Sequence, residues 1–169
     1  MTAVEVVLTV GLILASISDV RTGLIRNNLT GSLMLIGIVL NARIGFDTGD
    51  LLGGIATAVI GIGVMMLVHG IVLFNLGVER GGDVKLFMAI GGLVGWREAA
   101  EASLWTAIVY IPVSLAILAA RGRLGNLLAT ARWMARGRPA DSAPEPTVLR
   151  TAPVIAVGAA LAHLTTTLM

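Results

Sequence analysis

Long apolar runs constrain the fold of this chain more than any other feature. Six of them follow one another, over residues 3–18, 29–46, 51–76, 84–96, 102–120 and 151–169. The apolar residues form continuous runs instead of one stripe with a helical period, which is typical of helices surrounded by lipid. The sequence therefore predicts an all-α integral membrane protein with about six transmembrane helices, built as a single domain over residues 1–169.

The composition supports this class and excludes several others. Hydrophobic residues make up 56% of the chain and charged residues only 13%, whereas a soluble domain has about 25% charged residues. The chain has no cysteine, which excludes disulfides, thiolate zinc sites and cysteine nucleophiles. Its arginines fall between apolar segments, so the basic balance does not indicate nucleic-acid binding. The opening run carries Glu5 and no basic region before it, and we interpret it as the first permanent span.

The fourth apolar segment, residues 84–96, is too short to cross a bilayer alone. At about 1.5 Å per residue it covers about 20 Å of a hydrocarbon core about 30 Å thick. Either the segment is re-entrant, or the span begins before Asp83 and draws that carboxylate into the bilayer. Both interpretations place Asp83 below the membrane surface.

The orientation follows from the basic residues. Six spans put the loops 19–28, 77–83 and 121–150 on one side of the membrane. Counting Lys85 just inside the fourth segment, that side holds ten of the twelve Lys and Arg residues, namely Arg21, Arg26, Arg80, Lys85, Arg121, Arg123, Arg132, Arg136, Arg138 and Arg150. Cytoplasmic loops carry the excess of positive charge, so this side is expected to be cytoplasmic. Asp19 and Asp83 then lie at the same membrane face.

The region at about 121–150 is the part of the chain that looks most exposed to water. Its first half spaces leucine, alanine and methionine at helical intervals between arginines, which predicts an amphipathic helix at the cytoplasmic interface. Its second half, GRPADSAPEPT, has the proline and small polar residues of a linker.

Asp19 in SDVRTGLIRNN and Asp83 in RGGDVKL are the candidate catalytic residues. A carboxylate at the edge of an apolar segment is costly, and this cost favours a functional role. Two carboxyl groups held a few ångströms apart share one proton, so one can activate water while the other protonates a leaving group. Such a pair hydrolyses a peptide bond without a metal or a cofactor, and we expect neither.

These two motifs resemble those of the type IV prepilin peptidases. RGGDVKL is similar to the glycine-x-glycine-aspartate (GxGD) signature of that family, and SDVRTGLIRNN to its first-aspartate motif. The chain looks like the short, peptidase-only members, such as archaeal preflagellin peptidases and the peptidases of tight-adherence pili. Arg80 replaces the first glycine of the signature, and Arg26 or Asn27 stands where proline is usual.

The resemblance implies a GxGD-type aspartic protease of the bacterial inner membrane, with its active site facing the cytoplasm. It implies cleavage of the short basic leader of prepilin-like proteins after a glycine, in the service of type IV pilus assembly and secretion. Asp19 and Asp83 become the catalytic pair. The supporting or substrate-binding positions are Gly81, Gly82, Lys85, Arg80, Asn27 and Asn28. The implied partners are the prepilin-like substrate and the lipid bilayer.

Two other function classes stay open on the sequence alone. One is a transporter or channel whose carboxylates relay protons or bind a cation. The other is a non-catalytic protein of a pilus or secretion assembly, which the departures at Arg80 and Arg26 favour. Glu79 is interpreted as a solvated partner of Arg80, although its closeness to Asp83 leaves a role as a modulator of the aspartate pair open. His69 is interpreted as a core residue hydrogen-bonded to a neighbour, with a proton relay as the alternative.

Overall fold

The computed structural model describes residues 2–75, 79–122, 125 and 150–168. Within these ranges every regular element is a helix, which agrees with the all-α expectation. The helices are α1 (Ala3–Thr22), α2 (Asn27–Asp47), α3 (Leu51–Met65), α4 (Gly81–Ala120) and α5 (Ala152–Leu168), and a π-helix (Met66–Leu73) continues α3. The amphipathic helix and linker expected at about 121–150 lie outside the described residues, apart from residues 121, 122, 125 and 150.

Four helical stretches of the described chain are long and apolar enough to cross a membrane. They are α1, α2, α3 together with the π-helix, and α4. The first three correspond to the first three apolar segments. The fourth and fifth segments form two helices that meet at a kink at Gly95, so the predicted division between them is a break in the helix and not a loop. The sixth segment forms α5, which has 17 residues and is shorter than a typical span.

Helix α4 changes direction at Gly95. This residue has φ 81° and ψ 173°, a backbone conformation open to glycine and strained for other residues. We call residues 81–94 α4a and residues 96–120 α4b. Because α4a begins at Gly81, Asp83 lies in its first turn, as the interpretation of a span that starts before Asp83 requires.

Local sequence signals explain where the first helices begin and end. Thr2 and Glu5 form a reciprocal capping box at the start of α1. Gly23 ends the same helix in the left-handed conformation, with φ 75°, and its N–H donates to the carbonyl of Asp19. Helix α1 was expected to stop at Ser18; it continues for one more turn, and Asp19 therefore belongs to the helix.

Helix α4a is the centre of the hydrophobic core. Its side chains Leu86, Phe87, Ile90 and Leu93 are at most 2% exposed. They pack in two clusters with residues from α1, α2 and α5 and from the end of α3. The first turn of α4a is therefore held in position by neighbours on several sides.

Candidate active site

One end of the helix bundle gathers the termini that carry the chemistry. The last turn of α1 and the first turns of α2, α4 and α5 surround a cavity of about 570 Å³. The lining residues are Asp19, Gly23, Leu24, Ile25, Arg26, Asn27, Asn28, Arg80, Gly81, Gly82, Asp83, Lys85 and Thr151. Both candidate catalytic aspartates and all six predicted supporting residues therefore line the same cavity.

Asp19 is almost completely buried, at 5% exposure. Its Oδ2 accepts a hydrogen bond from the backbone N–H of Ala152, with a distance of 3.1 Å between N and O. Ala152 is the first residue of α5, so its N–H has no acceptor within that helix. A carboxylate at a helix N-terminus is also favoured by the helix dipole. The start of α5 thus stabilises the Asp19 carboxylate.

Asp83 is buried to the same degree, at 4% exposure. Its Oδ1 accepts a short hydrogen bond from the Thr151 hydroxyl, with 2.5 Å between the oxygens. Its Oδ2 lies 3.4 Å from the backbone nitrogen of Arg80, the N-cap residue of α4. Asp83 is therefore the third helical residue and not the cap itself, and its carboxylate reaches back over the helix start as in a capping box.

The two aspartates are linked through two consecutive residues of the chain. Thr151 binds Asp83 and Ala152 binds Asp19, so the start of α5 holds both carboxylates at once. Sequence reasoning missed this role for both residues. The available signal was the Thr-Ala-Pro sequence before an apolar run, which is typical of a helix N-cap followed by proline in the first turn.

The remaining polar side chains connect α2 to α4 at the rim of the cavity. The Lys85 ammonium donates to the Asn27 side-chain oxygen at 2.8 Å, although the two residues lie 58 positions apart. Arg26, Arg80 and Lys85 give the rim a positive charge. The cavity thus combines two buried carboxylates with a cationic entrance.

On one side of the site, Gly82 lets two backbone segments pack closely together. A Cβ atom added at Gly82 would lie 3.3 Å from the Cβ of Ile25, closer than most side-chain contacts. Among the described residues, a Cβ atom at Gly81 would meet Phe74 alone, at 4.0 Å. Gly82 therefore permits α4 to pack against the segment after α1.

This arrangement is suited to acid–base chemistry by the two carboxyl groups. One carboxylate can accept a proton from a water molecule in the cavity, and the other carboxyl group can donate one. Within the described part of the chain, no three His, Cys, Asp or Glu side chains are grouped as metal ligands would be. The aspartates are the acid–base candidates that this cavity offers.

Comparison with known proteins gives the family. A model of the type IV leader peptidase family matches residues 6–117, a range that contains both aspartates. The chain is also 36% identical over 85 residues to the prepilin peptidase EppA of Methanothermobacter thermautotrophicus. That alignment covers 50% of this chain but only 22% of the relative, so the matched part is about a fifth of the relative's length. No solved structure matches the chain. The family model covers more than half of the chain and confirms the resemblance drawn from the two aspartate motifs: the chain belongs to the type IV leader peptidase family.

Proposed function

We propose that the chain is an aspartic endopeptidase that removes the short basic leader of type IV prepilin-like proteins. The observation that carries the proposal is the joint attachment of Asp19 and Asp83 to the start of α5 beside one cavity. Membership of the family supports the peptidase activity, and the likeness to a prepilin peptidase supports the substrate class. Cleavage would follow a glycine of the substrate, at the cytoplasmic face of the inner membrane.

The proposed reaction uses both carboxyl groups in one cycle. The ionised carboxylate takes a proton from water, and the oxygen of that water attacks the carbonyl carbon of the peptide bond. The protonated carboxyl group then gives its proton to the departing amine nitrogen as the carbon–nitrogen bond breaks. The acyl product gains the OH group of the water molecule, and the amine product gains a proton. The first carboxyl group keeps the proton that it took from water, so the two carboxyl groups again share one proton at the start of the next cycle.

The same proposal includes a membrane topology of six crossings. Helices α4a and α4b would form the fourth and fifth crossings, with Asp83 drawn below the membrane surface because α4a is shorter than the hydrocarbon core. The break at Gly95 would lie near the far surface, and α5 would be the last crossing. The site would face the cytoplasm because ten of the twelve Lys and Arg residues lie in the loops on its side or in the helix turns next to them. Charged residues near the other end, including Asp47, Asp50 and Glu98, would face the opposite side.

A cleavage assay in liposomes tests this function. The purified chain is reconstituted with a precursor that carries a basic leader, a glycine and an apolar helix, and the products are identified by mass spectrometry. We expect a single cut after the glycine that persists in the presence of a chelator. If the precursor stays intact and the liposomes instead pass protons or cations in an aspartate-dependent way, the transporter alternative replaces the peptidase.

Thr151 provides a milder prediction for the same assay. In Thr151→Val the branched shape of the side chain is kept, but the hydroxyl that donates to Asp83 is lost. A hydrogen bond to a charged group contributes about 1.5–3 kcal/mol, which corresponds to about a 10- to 100-fold change in rate. We expect kcat to fall within that range when initial rates of cleavage are measured.

Thr151→Ser is the matched control, since serine retains a hydroxyl at the same position. It should keep kcat within about threefold of the starting protein, an effect well below one hydrogen bond. Equal rates for the valine and serine variants would contradict a role of the hydroxyl in holding Asp83.

A further inference from the structure

A second group of polar side chains lies deep in the protein, apart from the cavity of the aspartates. His69 is 2% exposed and contacts two polar partners. Its Nδ1 lies 2.7 Å from one carboxylate oxygen of Glu79 and 2.9 Å from the other. Its Nε2 lies 2.9 Å from the hydroxyl oxygen of Ser103. Glu79 was expected to pair with Arg80; its carboxylate instead contacts this histidine.

The Ser103 hydroxyl connects His69 to helix α4b. It lies 2.9 Å from Nε2 of His69 and also 2.9 Å from the carbonyl oxygen of Ala99, one turn earlier on the same helix. The carbonyl oxygen can only accept, so the hydroxyl either donates to it and accepts from Nε2–H, or donates to Nε2. In both arrangements each nitrogen of the buried ring has a polar partner, which suits the burial of this side chain.

The histidine is fixed on all sides by different elements. It lies in the π-helix, an irregular type of turn that often marks functional positions. Its ring stacks on Phe87 with 3.9 Å between the centroids, and Phe87 is one turn after Asp83 on α4a. Ser103 lies on α4b, beyond the break at Gly95. Through His69, the π-helix therefore contacts both α4a, at Phe87, and α4b, at Ser103.

Glu79 connects the fixed ring of His69 to the start of α4, where Asp83 lies. It directly precedes Arg80, whose backbone nitrogen contacts the Asp83 carboxylate and whose carbonyl begins α4. A side chain held by two contacts to a rigid, buried ring restricts the backbone next to it. The position of Glu79 thus limits how far the start of α4 can move relative to Asp19.

We propose that Glu79 and His69 are positioning residues, which hold the start of α4 so that Asp83 meets Asp19 in working geometry. This inference rests on the proposed peptidase function. The alternative of a serine–histidine–glutamate nucleophile is disfavoured by the position of the group, because neither Ser103 nor His69 is among the residues that line the cavity.

The kinetic test compares three variants in the liposome cleavage assay. Glu79→Ala removes both contacts to His69, and a displacement of about 1 Å at a catalytic group costs about 100-fold in rate. We expect kcat to fall about 10- to 100-fold with KM within about twofold, because substrate binding is not touched. Glu79→Gln has both a donor and an acceptor for Nδ1, so it should restore most of kcat. Glu101→Ala, which removes an exposed carboxylate on α4b, is the control and should be unaffected.

A cross-linking test reports the position of the helix start without any substrate. The chain has no native cysteine, so Ile25→Cys and Gly82→Cys create the only two thiols. The spacing of these positions, 3.3 Å between the Cβ of Ile25 and a Cβ added at Gly82, is close to the spacing of about 3.5–4.5 Å in disulfides. Mild oxidation should join them rapidly in the starting background and in Glu79→Gln. In Glu79→Ala the rate should fall at least about threefold, because the start of α4 is no longer held.

The two tests together separate the two proposals. Lower kcat together with slower cross-linking in Glu79→Ala supports the positioning role. A change in only one of the two readouts, or in neither, overturns it when the starting protein is active. If the starting protein cleaves no precursor, the peptidase function fails. Cross-linking then decides alone, with unchanged rates rejecting the positioning role and slower rates supporting it as a determinant of the site's geometry.

Discussion

Replacing either Asp19 or Asp83 with asparagine is expected to abolish cleavage of a prepilin-like precursor. Asparagine has nearly the same shape, and its amide oxygen can still accept the hydrogen bond from Ala152 or Thr151. It cannot take a proton from water or supply one to the leaving nitrogen. Loss of a general acid or base typically costs about 10²–10⁴-fold, so we expect kcat/KM to fall by at least about 10³-fold in each single variant. Initial rates in liposomes, followed by mass spectrometry of the product, measure the effect.

The double variant gives a sharper expectation than either single one. Residues that act as a unit are not additive, so Asp19→Asn combined with Asp83→Asn should be barely slower than one replacement alone. Asp47→Asn is the control: this exposed aspartate pairs with Arg43 at 3.1 Å, on the far end of α2. It should cleave at the starting rate. Substantial processing by both single variants would refute the catalytic assignment.

The helices of this fold could be predicted from the sequence because apolar length alone dictates them. Their ends could not be predicted as well, because local contacts decide them. Helix α1 passes Ser18 and continues until Gly23 ends it in a left-handed conformation. The break at Gly95 lies one residue before the predicted end of the fourth segment, but it is a kink between two helices instead of the expected loop, because glycine alone permits the backbone conformation found there.

The candidate site also has features that the sequence predicts and features that it does not. Asp19 and Asp83 could be found from the sequence because each lies in a recognisable motif. Their attachment to α5 could not, because Thr151 is 68 residues from Asp83 and Ala152 is 133 residues from Asp19. Contacts at such separations leave no local pattern. The partner of Glu79 was predicted wrongly for a related reason: the adjacent Arg80 was the expected partner, whereas the buried ring nitrogens of His69 required one.

Helix α4a, which carries Asp83 in its first turn, also packs closely against α3. A Cβ atom added at Gly61 would overlap the carbonyl oxygen of Gly91, and one added at Gly91 would overlap the carbonyl oxygen of Gly61. Both overlaps are far inside van der Waals contact, and the opposing atoms belong to backbone that cannot rotate away. Small residues of this kind let helices in lipid approach closely.

Gly61→Ala is therefore expected to be among the most destabilising single methyl additions in this chain. Overpacking costs typically about 1–3 kcal/mol, and a clash with backbone on both helices favours the upper end of that range. Gly63→Ala is the matched control on the same helix, because a Cβ atom there meets none of the described residues within 4 Å and alanine favours a helix over glycine. Thermal unfolding in detergent, followed by tryptophan fluorescence, should show a Tm several degrees lower for Gly61→Ala only. Equal Tm values for the two variants would mean that α3 and α4a are not in contact at these glycines, and Asp83 would then need another support for its position.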